Sequence, residues 1–318
     1  MLPSRIDGYL AGDLDTLCSG GEVMWRGVES VGPHDGRVAL YLTDHFPLLA
    51  MPPQKVEGEL AEKIRSVLAR RGAVFFSDLL VETSAFTQDL AATLWDLVWA
   101  GELTNDTLAP LRAFLTSPSV NKAERPRFRG RQFRSRRVGP PGSEGRWSLL
   151  PAVGTGKPTE TERRMALART LLERYGVLTR EAVHAEGIVG GFTAVYEVLK
   201  ALEDAGRVRR GYFVAGLGAT QFALPGADDR LRAMRDPPEE STTVVISATD
   251  PANPYGAALR WPEREGARCQ RAAGAQVILK DGAMLAFTRK SEKNLLTFLP
   301  EEEPARSLAA VSYTHLRA

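Results

Sequence analysis

Apolar residues return every three or four positions in two stretches of the chain. From residue 59, Leu60, Ile64, Val67 and Leu68 line one face and the pattern stops at Gly72. A short run follows at 77–81, and Leu90, Leu94, Leu97 and Val98 mark a longer one over 87–100. From residue 162, Met165, Leu167, Ala168, Leu171 and Leu172 repeat the pattern up to Gly176. Thr179 is placed to cap a short segment containing Glu181 and Val183, and Phe192, Val195, Tyr196, Leu199 and Leu202 complete the second set. Such spacing buries one face of an α-helix, so each stretch predicts three helices in succession.

The third helix of each set ends in the same local string, Leu-x-x-x-Gly-(Glu/Arg)-(Val/Leu). It occurs as Leu97 to Leu103 and Leu202 to Val208, and also as Leu17 to Val23 near the start. Glycine there lets the chain leave a helix through a left-handed residue, and the β-prone residue after it opens a strand. After the last copy, 207–214 alternates loosely, Gly216-Leu217-Gly218 makes a turn, and 221–224 returns. Three helices followed by a two-stranded hairpin make a winged helix. We therefore expect winged helices over 55–117 and 160–226. Residues 1–50, with strands at 23–25 and 37–42 around a turn at Gly36, read as the end of a preceding winged-helix module in a longer protein.

From Thr242 the period changes to two. Strands are expected at 242–247, 275–279, 284–288 and 295–299, with Lys280-Asp281-Gly282 as a hairpin turn. The expected fold class is α+β: tandem winged-helix domains followed by a small, truncated β-barrel at 240–310. The last residues, 311–318, do not continue the barrel pattern and read as a non-native tail. Adjacent prolines and acids at 235–240 break the chain before the β-rich part.

Composition removes several classes of function. The 318 residues are 43 % hydrophobic and 25 % charged, as in ordinary globular proteins. No apolar run approaches about 18 residues and the N-terminus lacks a signal peptide's apolar core, so we expect no membrane contact and a cytoplasmic location. Two cysteines exclude a disulfide framework, and four scattered histidines predict no metal site. No GxxxxGK(S/T) or DExH string occurs, so this chain should bind no cofactor; ATP and Mg would belong to a separate motor.

Charge changes the picture more. Residues 118–150 hold nine basic residues against Glu124 and Glu144, in a chain whose total is only +2. The basic residues are Lys122, Arg125, Arg127, Arg129, Arg131, Arg134, Arg136, Arg137 and Arg146. The segment also has four prolines and no long apolar period, so it reads as an arginine-rich linker or arm. Guanidinium groups pair with phosphates, and Phe128 and Phe133 within the arm are placed to stack on unpaired bases. Arg207, Arg209 and Arg210 open the second wing and are further phosphate candidates. The third helices carry Asp89, Asp96, Glu197, Glu203 and Asp204. They are poorly suited to a major groove, so sequence-specific reading is not expected and mutual packing is. The loop from Asp250 to Tyr255 contains two prolines; rigid turn chemistry accounts for it, and it also offers Asp250 as a carboxylate and Tyr255 as a stacking ring.

Four strings in order carry a family resemblance: Asp35-Gly36-Arg37-Val38-Ala39-Leu40-Tyr41; Leu97-Val98-Trp99-Ala100-Gly101-Glu102 with Thr104-Asn105-Asp106; Gly145-Arg146-Trp147-Ser148-Leu149-Leu150; and Thr249-Asp250-Pro251-Ala252-Asn253-Pro254-Tyr255-Gly256. Together they resemble the C-terminal extension of bacterial large helicase-related (Lhr) proteins over about residues 1–310. The resemblance implies ATP-dependent DNA helicases of DNA repair, with an extension of winged helices and a β-barrel similar to AlkZ-type DNA glycosylases. It implies a DNA partner, single-stranded or damaged, and the helicase core of the same polypeptide. Some members' extensions are associated with removal of uracil from DNA, which would make Asp250 the catalytic candidate. A homo-oligomer or docking role is the remaining alternative.

Overall fold

The computed structural model describes residues 2–32, 35–115, 140, 142–153, 158–218, 220–236, 241–263, 268–289 and 295–298. The chain divides into two compact units, residues 6–163 and residues 164–318 together with 1–5. The expected tail at 311–318 lies outside the described residues.

The first unit opens with α1 (Ala11–Ser19) and an antiparallel hairpin of β1 (Val23–Gly32) and β2 (Asp35–Leu42). The hairpin is longer than the apolar pattern suggested, and Gly36 is not its turn: it lies in β2, opposite Ser30. Ladder hydrogen bonds come from the backbone, so strands continue through Gly27, Glu29 and Ser30 although these break the apolar alternation. A single-turn helix, α2 (Phe46–Leu49), leads on to α3 (Glu59–Arg71), β3 (Val74–Phe75), α4 (Phe76–Thr83) and α5 (Thr87–Trp99). Then come β4 (Leu103–Asn105), α6 (Ala109–Leu115) and β5 (Arg146–Leu149). The three short strands form one antiparallel sheet in the order β3-β5-β4. Residues 146–149, read from sequence as the end of a linker, are thus the returning strand of the first full winged helix. Ile64, Leu68, Leu79, Leu90, Leu94 and Leu97 bury against Trp147 of β5 and Trp25 of β1 in a single core.

That core settles what the third helix does. Gly27 of β1 passes so close to α5 that a Cβ on it would stand 2.3 Å from the Val98 carbonyl oxygen. The Trp25 indole N–H donates to the carbonyls of Asn105 (2.8 Å) and Thr107 (3.0 Å), and Thr104 Oγ1 donates back to the Trp25 carbonyl. Trp95 and Trp99 stack on each other, and both meet the Phe114 ring at a tilt. The C-terminal half of α5 is therefore a packing surface.

The second unit repeats the plan: α7 (Glu160–Tyr175), β6 (Val177–Leu178), α8 (Arg180–Ala185), α9 (Thr193–Asp204), β7 (Arg209–Gly211) and β8 (Gln221–Ala223), with sheet order β6-β8-β7. Its core is Leu171, Leu172, Leu178, Val183, Val195, Leu199 and Phe222. α10 (Ala227–Ala233) then leads to β9 (Thr243–Ser247), β10 (Gln276–Lys280), β11 (Ala283–Thr288) and β12 (Leu295–Thr297). These four make an antiparallel sheet in the order β12-β11-β10-β9. The barrel expectation is met only as far as this open sheet, since among the described residues β9 and β12 do not pair.

The recurring glycine signature has one cause in all three copies. Gly21, Gly101 and Gly206 have φ of +77°, +76° and +67°. The following residue's N–H bonds back to Leu17, Leu97 or Leu202, while each glycine N–H bonds to Cys18, Val98 or Glu203. Paired bonds of this kind satisfy the last carbonyls of a helix and turn the chain into a strand.

Candidate nucleic-acid interface

The arginine arm lies, in sequence, between two paired strands. β4 and β5 pair through Leu103–Leu149, Thr104–Ser148 and Asn105–Trp147, and the segment 106–145 connects them. Lys122, Arg125, Arg127, Arg129, Arg131, Arg134, Arg136 and Arg137, with Phe128 and Phe133, all lie on this connection but outside the described residues. The place where the arm rejoins the fold is described. Ser143 Oγ donates to the Pro140 carbonyl, Gly142 N–H donates to Glu144, and Asn105 Nδ2 donates to the Glu144 carbonyl at 3.0 Å. Gly145 has φ +76°, and a Cβ on it would meet Asn105 Oδ1 at 2.2 Å. Arg146 is held by Asp106, with its backbone N–H at 2.8 Å from one oxygen and its guanidinium at 2.7 Å from the other. The basic segment thus returns into a fixed strand, and Arg146 is neutralised where it does so.

The second wing is described almost completely. Arg207 is exposed. The Arg209 side chain is 72 % exposed and stands 3.7 Å from Asp228, while Arg210 is 46 % exposed and pairs with Glu203 at 3.2 Å. Fully buried Gln221 organises the loop between β7 and β8. Its Oε1 accepts from the N–H groups of Phe213 (3.0 Å) and Val214 (2.9 Å), and its Nε2 donates to the carbonyls of Val214 and Gly218. Gly218 N–H donates to Glu181 of α8 at 3.1 Å. A wing tip of this construction is rigid although it is a loop.

The loop from Asp250 to Tyr255 is equally built. Asp250 is 2 % exposed; its two oxygens take a bidentate pair from Arg5 at 2.6 and 2.8 Å, and Oδ1 also accepts from Ala252 N–H. Arg5 holds the Asp250 carboxyl below its ordinary pKa, against the opposing effect of burial. Arg271 donates to the carbonyls of Asp250, Asn253 and Tyr255, and buried Asn253 ties Ala248 to Tyr255. The Tyr255 ring stacks on Trp261, and its hydroxyl joins Gly282 to Met284 N–H. Both candidates in this loop hold the polypeptide together in the structure: Asp250 by its ion pair, Tyr255 by ring and hydroxyl. Arg5 and Arg271 were not singled out from sequence, because an isolated arginine far along the chain from its partner leaves no periodic mark. Among the described residues no cluster of His, Cys, Asp or Glu is arranged to hold a metal ion, and no helix is long and apolar enough to cross a membrane.

Comparison with known proteins bears on these wings directly. The winged-helix domains of the large helicase-related protein, third and fourth in that family's order, match residues 1–43 and 157–243. The chain belongs to the large helicase-related (Lhr) family. It is 43 % identical over 326 residues to the "Lhr helicase/ probable uracil glycosylase" of Mycolicibacterium smegmatis, covering 97 % of this chain and 21 % of that protein. It is 37 % identical over 327 residues to the "Lhr helicase/uracil glycosylase" of Escherichia coli, covering 95 % of this chain and 21 % of that protein. The chain thus spans about a fifth of either Lhr relative. The fourth-domain match takes in α7 to α10 and the whole second wing, and the third-domain match takes in α1 and the β1–β2 hairpin.

Proposed function

We propose that this part of an Lhr protein binds DNA through its wings, with weak sequence preference, rather than through its third helices. The observation that carries the reading is the position of the arginine arm on the connection between two paired strands of a winged helix. Arginine on such a connection meets phosphate oxygens without reading bases. The packing of α5 against β1 points the same way, because a helix half covered by a hairpin is not free to lie in a groove. Arg207, Arg209 and Arg210 would add contacts on the second wing, and single-stranded or damaged DNA would suit Phe128 and Phe133 of the arm as stacking groups. ATP and Mg would act in the helicase core of the same polypeptide. The test is a titration of labelled single strands and duplexes of several unrelated sequences. Affinities within about threefold across sequences fit the reading; a strong preference for one sequence would overturn it.

The names of both relatives favour a second reading, in which this region contributes to uracil removal. Asp250 is the carboxylate candidate, and it would have to act from within its pair with Arg5. Incubating the chain with a uracil-containing single strand, followed by alkali, tests this. Strand breaks that vanish in Asp250→Asn support it, and no breaks above background count against it. A docking surface for the helicase core, or a homo-oligomer, is the third reading, and light scattering of the purified chain distinguishes monomer from oligomer.

A further inference from the structure

Tyr212 follows β7 at the base of the second wing and belongs to no core. The residue is 61 % exposed. Its hydroxyl accepts a hydrogen bond of 2.9 Å from Gly216 N–H, across the loop that Gln221 locks from inside. An exposed ring usually turns freely, and ordering it on a ligand costs rotamer entropy. Here that freedom is already restricted by the hydrogen bond to Gly216, although the residue is mostly exposed. Three arginines precede Tyr212 within six residues: Arg207 is exposed, Arg209 is 72 % exposed, and Arg210 is 46 % exposed beside Glu203. Tyr212 is the first residue beyond β7, two positions after Arg210.

We propose that Tyr212 is a base-stacking residue: its ring receives one unpaired base of a single strand whose phosphates lie along Arg207, Arg209 and Arg210. The inference rests on the nucleic-acid reading above and adds a contact outside the arginine arm. A fixed aromatic face beside phosphate-binding cations is how sequence-tolerant single-strand sites are built, because every base has a π-face and only an unpaired base exposes it. Stacking also explains why an aromatic ring is displayed at this position instead of being turned into the core beside Phe222.

The test uses the full chain, a labelled single-stranded oligonucleotide carrying 2-aminopurine, and the matching duplex. Tyr212→Ala should weaken single-strand binding roughly 5- to 100-fold. It should abolish quenching of the probe base, leave duplex binding within about twofold, and leave the salt dependence unchanged. Tyr212→Phe keeps the ring but loses the tether to Gly216, so it should retain quenching with an affinity between those of the unaltered chain and Tyr212→Ala. Arg207→Ser with Arg209→Ser and Arg210→Ser should instead flatten the salt dependence. Because Tyr212 is mostly exposed, its thermal midpoint should not move, which separates lost stacking from lost folding. Unchanged single-strand affinity in Tyr212→Ala overturns the assignment. So does an equal loss on single strand and duplex, which would mean that the ring positions backbone contacts. If the unaltered chain binds neither probe, the nucleic-acid reading itself fails and the assignment fails with it.

Discussion

Three buried or tethered polar side chains do much of the ordering at residue scale. Asp250 is the clearest. Its folded pKa lies below its unfolded value because Arg5 hydrogen-bonds the ionised form. The stabilisation is therefore fully present above about pH 4 and drains away as pH falls through the folded pKa. The urea midpoint of the unaltered chain should drop on acidification through this range, and Asp250→Asn should flatten that drop; parallel acid limbs would show that the pair contributes nothing. Arg5→Ala leaves a buried carboxylate with one backbone donor and should cost about 1–3 kcal/mol by urea unfolding. Gln221→Ala removes four hydrogen bonds from the second wing, so the amides of Phe213 and Val214 should lose hydrogen-exchange protection while those of α9 keep theirs. Sequence reasoning reached the loop of Asp250 as rigid turn chemistry. It did not reach Arg5 or Arg271, because what pairs them with the loop is tertiary and has no local pattern.

At the scale of elements, the helices were legible because their apolar faces repeat at helical spacing and their ends carry a glycine whose positive φ is a backbone requirement. The strands of the wings were harder. β5 is four residues long and follows a proline- and arginine-rich segment, so composition hid it in a linker. β1 runs through glycine and charge, and only its ladder with β2 defines it. The close pass of β1 over α5 was likewise invisible, although it makes a sharp prediction. Gly27→Ala places a methyl group 2.3 Å from a carbonyl oxygen and should destabilise the first unit by about 1–3 kcal/mol; a change below about 0.5 kcal/mol in the denaturation midpoint analysis would contradict the packing. The sheet β9–β12 ends in a three-residue strand and keeps Val244 and Val245 of β9 substantially exposed. Short edges open easily, so its amides should exchange before those of α7 to α9. Equal protection in both would mean that the sheet is closed by contacts beyond these four strands.

For the molecule as a whole, a nearly neutral total hides one strongly basic segment, which in sequence connects the paired strands β4 and β5. The account's central claim is that the arm's arginines carry the binding. It is tested most directly by measuring the affinity of the full chain for a labelled single strand at several salt concentrations, alongside a variant with the seven arginines of 125–137 replaced by serine. The unaltered chain should lose affinity steeply as salt rises. The variant should lose most of its affinity at low salt, with a slope shallower by about 0.7 for each arginine that meets a phosphate. Affinity and slope that survive the seven replacements would contradict the claim and leave the arm a mere connection between two strands.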